Sequence, residues 1–209
     1  MAHQLDTLSA PTLREVIDSG IVTVVVPFGS IEHQGGHLPT GADSILADAV
    51  GRQLAERLPA VLAPTLRIGC AEPHQDLPGT ITLRAATLTA LAVEQAQSLA
   101  RQRFQVVVLL STHGGNRSAL DAAVHELDSS LQDAIACAPR GEVANPGRHS
   151  GVWLTSVMLA LRPDLVELDR ADPVLREELM TASPEHGYEV LERFIASVVA
   201  AVRGATRSQ

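Results

Sequence analysis

The feature that most constrains the fold is a pair of aliphatic runs that each end in a polar, glycine-containing loop. Residues 21–28 form a β-branched run, and residues 105–111 form a continuous apolar run. An apolar run without alternation is typical of a strand buried on both faces of a parallel sheet. Helical patterns follow the two loops at residues 44–58 and 116–131, so each region is predicted to be a strand, a loop and a helix.

The remaining patterns continue this alternation along the chain. We expect further strands at residues 61–66, 79–83 and 134–138, and further helices at residues 87–103, 151–161 and 184–203. Strands that alternate with helices imply right-handed crossovers and a mostly parallel sheet with helices on both faces. The length of 209 residues suits one domain with a sizeable core, so the sequence predicts a single α/β domain over residues 1–209.

Composition excludes several classes of function. The chain contains no lysine, which rules out Schiff-base and pyridoxal-phosphate chemistry. An aromatic content of 2% and a net charge of −8 argue against nucleic-acid binding, because base stacking and phosphate contacts need aromatic and basic side chains. No apolar run approaches the length of about 20 residues needed to span a bilayer, and no leader pattern is present. We therefore expect a cytoplasmic protein without nucleic-acid or membrane partners.

Carboxylates and imidazoles are concentrated in the loop after the first aliphatic run. Residues 29–43 contain Glu32, His33, His37 and Asp43, separated by glycines that let the backbone fold back tightly. A polar surface loop would account for any one of these residues, but less readily for the whole cluster. Carboxylate and imidazole ligands together suit zinc, manganese or iron, so the loop indicates a divalent metal site.

Further polar residues follow the later strands. His113 comes directly after the second aliphatic run, and His149 comes after the last candidate strand. Because ligands bind at the carboxyl ends of the strands in a parallel sheet, we expect these side chains to lie on the same edge as the first loop. Asn116 is predicted to cap the helix that begins beside it.

Four short motifs follow one another along the chain. They are Gly-Ser-x-Glu…Gly-x-His-Leu-Pro…Asp at residues 29–43, His74 ahead of Pro78-Gly79-Thr80, His113-Gly114-Gly115-Asn116, and His149-x-Gly…Thr155-Ser156. Their order and spacing resemble the creatininase family of metal-dependent amidohydrolases. The resemblance implies a three-layer α/β/α fold, a homo-oligomer, and hydrolysis of a C–N bond in a small or cyclic amide or a short peptide.

The resemblance also implies a metal centre. Glu32, Asp43 and His113 match the ligands of one metal, and Asp43 matches the position that normally bridges two metals. A bound zinc, manganese or iron would activate water as the nucleophile, so no protein nucleophile is needed. The backbone amides of Gly114 and Gly115 are expected to approach the oxyanion.

The remaining matched residues surround this centre. His149, which matches the catalytic-loop histidine of the family, is expected to donate a proton to the departing nitrogen. His74 is grouped with it as a catalytic residue that positions substrate or orients a ligand, and His37 is a candidate for the same task. Trp153 is expected either to line the pocket or to belong to the core.

Two departures from the family pattern affect the second metal. The family usually reads Glu-Gln-His-Gly where this chain reads Glu32-His33-Gln34-Gly35, so Gln34 replaces the expected histidine. His33 is a candidate replacement ligand, although a shift of one position in an extended loop reverses the side chain's direction. Leu154 stands where the family segment His-Ala-Gly-x-x-Glu-Thr-Ser places a glutamate. We expect one divalent metal per chain, or two if His33 or another residue has rebuilt the second position.

Three functions are open at this point. The favoured one is a creatininase-like amidohydrolase that uses one tightly bound metal. The second is a biosynthetic enzyme of the same fold that catalyses deformylation, cyclisation or acyl transfer. The third is a non-catalytic relative that works as a subunit of an oligomer.

Overall fold

The computed structural model describes residues 2–128, 131, 134–138 and 148–207, which contain a five-stranded parallel sheet. The strands are β1 (His3–Gln4), β2 (Thr23–Phe28), β3 (Ala60–Leu62), β4 (Val106–Ser111) and β5 (Ile135–Cys137), in the spatial order β1-β3-β2-β4-β5. The central strands β2 and β4 pair in register from Thr23 with Val106 to Phe28 with Ser111. Their carboxyl ends therefore lie side by side.

Helices cover both faces of the sheet. They are α1 (Ala10–Asp18), α2 (Ala42–Arg57), α3 (Ala85–Arg101), α4 (Arg117–Leu127), α5 (Val152–Leu161), α6 (Pro173–Leu179) and α7 (Pro184–Arg207). Val24 and Val26 of β2 pack into one apolar cluster with α1, α3 and α4, whereas Val25 packs into the opposite cluster with α2, α5 and α7. This alternation follows from the two-residue period of a strand, and it confirms the expected three-layer α/β/α fold.

The direction of winding changes between β2 and β4. The chain leaves β2 for α2 on one face of the sheet and leaves β4 for α4 on the other face. In an open parallel sheet, such a switch point creates a crevice at the carboxyl ends of the two strands. The crevice lies between the loops that the sequence marks as polar.

Three short elements, α1, β1 and α6, were not predicted from the sequence. The helix α1 begins at a proline-containing first turn, and the Ser9 side chain accepts a hydrogen bond from the Thr12 backbone N–H at 3.3 Å. A serine cap followed by proline is a recognised start signal, so α1 was predictable. The strand β1 and the helix α6 are only two and seven residues long, too short for a clear period.

The prediction of a strand at residues 79–83 is wrong. Ile81 makes a single antiparallel bridge to Ile31, and Ile81 is 53% exposed. Gly79 has a φ of +86°, so the chain turns immediately before the β-branched residues and no neighbouring strand continues the pairing. The helix predicted to reach Leu131 ends at Leu127, and residues 129–130 lie outside the described residues.

No helix among the described residues is long and apolar enough to span a membrane.

Candidate metal centre

The loop after β2 brings Glu32 to the carboxyl edge of the sheet. Gly35 and Gly36 have φ values of +68° and +77°, a region that side chains disfavour, and they let the loop fold back on itself. The Glu32 backbone N–H donates to the Thr40 carbonyl at 2.9 Å, which closes the loop. The Glu32 residue is only 2% exposed, so its carboxylate needs buried partners.

Asp43 enters the same space from the first turn of α2. Its side chain is buried, and the Ser30 hydroxyl donates to Oδ2 at 2.8 Å. The positive end of the helix dipole favours a carboxylate at this position. The Thr112 hydroxyl donates to the Asp43 carbonyl at 2.8 Å and so ties the loop after β4 to α2.

His113 completes this group from the loop after β4. Its Nδ1 lies 3.1 Å from Glu32 Oε1 and 3.1 Å from Asp43 Oδ2. Its Nε2–H donates to the Cys70 carbonyl at 2.9 Å. A histidine ligand in a metal site commonly donates its second ring N–H in this way, which fixes the nitrogen that faces the metal.

Asn116 and Gly115 support the orientation of His113. The Asn116 side chain makes no capping hydrogen bond, so the prediction that it caps α4 is wrong. Its Oδ1 instead accepts from the Cys70 N–H at 2.8 Å, and its Nδ2 donates to the Gly29 carbonyl at 2.9 Å. A Cβ atom at Gly115 would lie 2.0 Å from the Cys70 carbonyl oxygen and 2.6 Å from His113 Nε2. The His-Gly-Gly-Asn motif thus serves to hold the Cys70 carbonyl against His113.

The electrostatics of the centre favour a positive charge between the two carboxylates. Burial opposes the ionisation of Glu32, but the hydrogen bond and charge of His113 and a hydrogen bond from His74 lower its pKa to about 2. Burial also opposes the charged form of His113, but its hydrogen bonds to Asp43 and Glu32 raise its pKa to about 10. Burial raises the pKa of Asp43 despite hydrogen bonds from His113 and Ser30.

The donor set fits a divalent cation. Ligand atoms of Glu32, Asp43 and His113 all lie within 4.8 Å of one another. Two carboxylates and one imidazole nitrogen form a set that zinc, manganese and iron accept. A cation at this position would replace the proton that His113 Nδ1 shares with the carboxylates.

A second group of potential ligands shares Glu32. Ligand atoms of Glu32, His74 and His149 also lie within 4.8 Å of one another. His74 Nδ1 is 2.9 Å from Glu32 Oε2, and His149 Nδ1 is 4.0 Å from Glu32 Oε1. His149 Nε2–H donates to the His33 carbonyl at 2.8 Å, so Nδ1 is the nitrogen that faces the carboxylate.

Both groups open into one cavity. Its volume is about 690 Å³, and its wall includes Glu32, Asp43, His113, His74 and His149. This volume falls in the range of small-molecule sites.

A family model for creatininase, described as creatinine amidohydrolase, matches residues 6–182 of this chain. The chain belongs to the creatininase family. The resemblance inferred from the four sequence motifs is confirmed.

Named relatives within the family include peptidases and an amidohydrolase. The mycofactocin precursor peptide peptidase of Mycolicibacterium smegmatis is 33% identical over 203 residues, which are 93% of this chain and 76% of that protein. The corresponding protein of Mycobacterium ulcerans is 36% identical over 159 residues, which are 71% of this chain and 62% of that protein. The creatinine amidohydrolase of Pseudomonas putida is 31% identical over 181 residues, which are 74% of this chain and 70% of that protein. The chain thus spans less than two thirds of the M. ulcerans relative.

Solved creatininase structures share the fold almost end to end. A manganese creatininase superposes with a TM-score of 0.80 and 27% identity, covering 98% of this chain and 99% of that chain. Another creatinine amidohydrolase superposes with a TM-score of 0.78 and 26% identity, covering 96% of each chain.

Gln34 occupies a central place in this creatininase-family site. Its Nε2 donates to Glu32 Oε1 at 3.2 Å and to Asp43 Oδ2 at 3.1 Å. Its Oε1 accepts a hydrogen bond from the Ser150 hydroxyl at 2.8 Å. The position where the family resemblance implies a histidine ligand therefore carries an amide bonded to two of the candidate metal ligands.

His33 uses its backbone in the site. Its backbone N–H donates to the Thr80 hydroxyl at 3.0 Å, and its carbonyl accepts from His149. Its side chain belongs to neither ligand group found among the described residues. His33 as a replacement ligand remains a prediction without support from this geometry.

His37 connects the loop after β2 to α5. Its Nδ1–H donates to the Gly35 carbonyl at 3.1 Å, and its Nε2 lies 3.0 Å from the Thr155 hydroxyl. Its residue is 1% exposed and does not line the cavity. The geometry therefore suits a residue that holds the loop in shape.

The other predicted residues line the cavity. Gly114 and Gly115 lie on its wall beside His113. Trp153 both lines the cavity and packs against the apolar cluster under α5, so the two readings of this residue apply together. Leu154 is buried, also lines the cavity and offers no ligand atom.

Sequence reasoning missed Ser150 and the Cys70 carbonyl. Ser150 is buried, with a φ of +57° that is uncommon for a residue with a side chain. A serine beside His149, where the family segment has alanine, was the available signal. No pattern signals the Cys70 carbonyl, because its partner His113 lies 43 positions away.

Proposed function

We propose that this protein is a metal-dependent amidohydrolase that cleaves a C–N amide bond of a small or cyclic amide or a short peptide. The observation that carries the proposal is the convergence of Glu32, Asp43 and His113 on one wall of a cavity of about 690 Å³. Family membership and the names of the relatives support the same reaction class. We also propose that residues 1–209 form one catalytic domain.

Glu32, Asp43 and His113 are proposed to hold one zinc, manganese or iron ion. When bound, such an ion acidifies water and polarises an amide carbonyl, which supplies a nucleophile near neutral pH. Asp43 keeps its orientation through Ser30, and His113 keeps its orientation through the Cys70 carbonyl. These supports keep the ligand atoms in place before substrate arrives, which avoids reorganisation during the reaction.

His149 is proposed to give a proton to the departing nitrogen. Its Nε2 is held by the His33 carbonyl, so the proton would leave from Nδ1, the nitrogen that faces Glu32. Its side chain is 39% exposed and lines the cavity, so substrate can reach it. An imidazole can both hold and release a proton, which suits this role.

His74 is proposed to position Glu32 and His149. Its Nδ1 is 2.9 Å from Glu32 Oε2, and its ring packs against the His149 ring with centroids 4.2 Å apart. His74 thus bonds the carboxylate oxygen that His113 leaves free. Gly114 and Gly115 border the same space, where their backbone N–H groups are proposed to face the oxyanion.

The cavity supports a peptide or a small amide as substrate. Two exposed arginines, Arg117 and Arg148, line it together with Trp153 and Phe194. A planar guanidinium binds carboxylates well, and an aromatic wall accepts an apolar side chain. This combination favours a substrate that carries both an acidic and an apolar group.

We also propose that the chains associate into a homo-oligomer. Val174, Met180 and Tyr188 are 69%, 85% and 60% exposed on and beside α6 and α7. Association with a second copy of the chain would cover such exposed apolar side chains. Light scattering on the purified protein would give the mass of the assembly.

Metal content and hydrolysis should be measured on the same preparations. The protein is purified without chelators or metal-affinity resin, and metal is counted by plasma mass spectrometry. We expect about one ion per chain, lost in Glu32→Ala and His113→Ala and kept in His125→Ala, which removes an exposed histidine of α4. A panel of cyclic amides, formamides and peptides then tests for C–N cleavage.

Two results would contradict the proposal. If the wild-type protein binds no zinc, manganese or iron after incubation with the ion, the metal-dependent mechanism is wrong. If the wild-type protein is fully loaded and cleaves nothing in the panel, the amidohydrolase activity is wrong.

A further inference from the structure

A buried amide lies among the proposed metal ligands. Gln34 is 2% exposed, and its Nε2 contacts Glu32 Oε1 at 3.2 Å and Asp43 Oδ2 at 3.1 Å. Carboxylate oxygens only accept hydrogen bonds, so the NH₂ group must face them and the amide oxygen must face away. The amide therefore presents its donors to the two carboxylates.

Ser150 holds the amide in this orientation. Its hydroxyl donates to Gln34 Oε1 at 2.8 Å across 116 positions of sequence. Ser150 is 3% exposed and its φ of +57° is one that glycine adopts more readily. Without its hydroxyl, the buried amide oxygen would lose the partner that this structure gives it.

The two carboxylate oxygens that face Gln34 are those that face His113. Asp43 Oδ2 accepts from Ser30 at 2.8 Å and from Gln34 at 3.1 Å, and it lies 3.1 Å from His113 Nδ1. Three donors thus surround Asp43 Oδ2, so the position of the His113 proton is the one that a cation would take at this oxygen, and no room is left there for a second cation. Glu32 Oε1 is likewise shared between Gln34 and His113.

We propose that Gln34, oriented by Ser150, takes the place of a second cation between Glu32 and Asp43 and makes the centre mononuclear. The NH₂ group carries partial positive charge and holds both carboxylates toward the single metal. This inference rests on the proposed function, because it assumes one metal on Glu32, Asp43 and His113.

The sequence departures are consistent with a coupled replacement. Gln34 stands where the family resemblance implies a histidine, Ser150 where it implies alanine, and Leu154 where it implies glutamate. Gln34, Ser150 and Leu154 line the same cavity, and the first two are bonded to each other. A loss of ligands alone would not require the Ser150 hydroxyl.

The decisive variant is Gln34→Glu. It keeps the shape of the side chain, replaces the donating NH₂ with an anionic oxygen, and leaves Ser150 able to donate. Wild-type and variant proteins are equilibrated with Zn²⁺ or Mn²⁺, dialysed and counted by plasma mass spectrometry, with folding checked by circular dichroism. We expect the metal content to rise from about one ion per chain in the wild-type protein to about two in Gln34→Glu. The matched control Gln75→Glu adds the same charge at an exposed position, and we expect it to stay at about one.

Two further variants test the inference if Gln34→Glu folds poorly. Gln34→His combined with Leu154→Glu adds two ligands, and we expect it also to bind about two ions. Ser150→Ala should keep about one ion but bind it at least about tenfold more weakly in a competitive titration, because outer-shell partners of ligands contribute on that scale.

The outcomes separate this inference from the proposed function. No metal in the wild-type protein would overturn the proposed function itself. One metal in wild-type and in both folded Gln34 variants would overturn the inference alone. Two metals in the wild-type protein would also overturn it, and loss of the second ion in His74→Ala would assign that ion to Glu32, His74 and His149.

Discussion

Metal binding should expel one proton from His113. His113 Nδ1 lies 3.1 Å from Glu32 Oε1 and 3.1 Å from Asp43 Oδ2, and both oxygens can only accept hydrogen bonds. Burial opposes protonation, yet the hydrogen bonds to Asp43 and Glu32 raise the His113 pKa to about 10. The ring is therefore an imidazolium at neutral pH, and a metal can bind Nδ1 only after that proton leaves.

The magnitude follows from the pKa. A gap of about three pKa units between about 10 and neutral pH costs about 4 kcal/mol of metal-binding free energy. Because the raised pKa keeps the proton bound at every pH below about 10, the affinity should rise about tenfold per pH unit across the neutral range. One proton should be released for each metal bound near pH 7.

Calorimetry measures both quantities. Zn²⁺ is titrated into metal-free protein in two buffers of different ionisation enthalpy, and the difference in heat gives the number of protons released. His125→Ala, which removes an exposed histidine of α4, should release the same number as the wild-type protein. An affinity that does not change with pH, or release of no proton, would refute the imidazolium bridge between the two carboxylates.

Three further predictions concern the supports of the centre. Asn116→Ala should lower the free energy of unfolding in urea by about 2–5 kcal/mol, because the buried Cys70 N–H and the Gly29 carbonyl each lose their hydrogen bond to the Asn116 side chain. An effect below about 1 kcal/mol would contradict this prediction. Gly115→Ala should weaken metal binding about 10- to 100-fold in a chelator competition, since the new Cβ would displace the Cys70 carbonyl from His113; unchanged affinity would show that this bond does not orient the ring. The melting temperature of the metal-free protein should be highest between about pH 5 and about pH 6. The lowered Glu32 pKa gives stability that is lost as the pH falls toward about 2, and the raised His113 pKa gives stability that is lost as the pH rises through about 10. Thermal scans between about pH 2 and about pH 10 test this dependence of the melting temperature on pH, and a melting temperature that does not change with pH would contradict it.

Much of the fold was predictable because its strands and helices have strong local patterns. β2 and β4 are buried on both faces, so most of their residues are apolar, and the helices that follow them carry apolar residues at helical spacing. The predictions fail where an element is too short to show a hydrophobic period, or where a strand needs a neighbouring strand to pair with. Residues 79–83 have the composition of a strand, but Ile81 meets only Ile31 and the pairing stops after one bridge.

The position of the candidate site was also predictable, but its internal contacts were not. Parallel pairing of β2 with β4 places the loops that carry Glu32 and His113 at one edge of the sheet. The orientation of each side chain depends on distant partners, such as Ser150 for Gln34 and the Cys70 carbonyl for His113. No local pattern in one sequence indicates such pairs.

The order of His33 and Gln34 in the sequence decides which of the two side chains faces the carboxylates. The amide of Gln34 points to the carboxylates, whereas His33 contributes its backbone carbonyl to His149. Compared with the order that the family resemblance implies, this order puts an amide at the carboxylates and leaves Glu32 and Asp43 in place. Two buried carboxylates without a cation would be costly, so the centre still requires positive charge. The His113 proton supplies it in the metal-free protein and one metal would supply it in the loaded protein, which is why the two states should differ by a single proton.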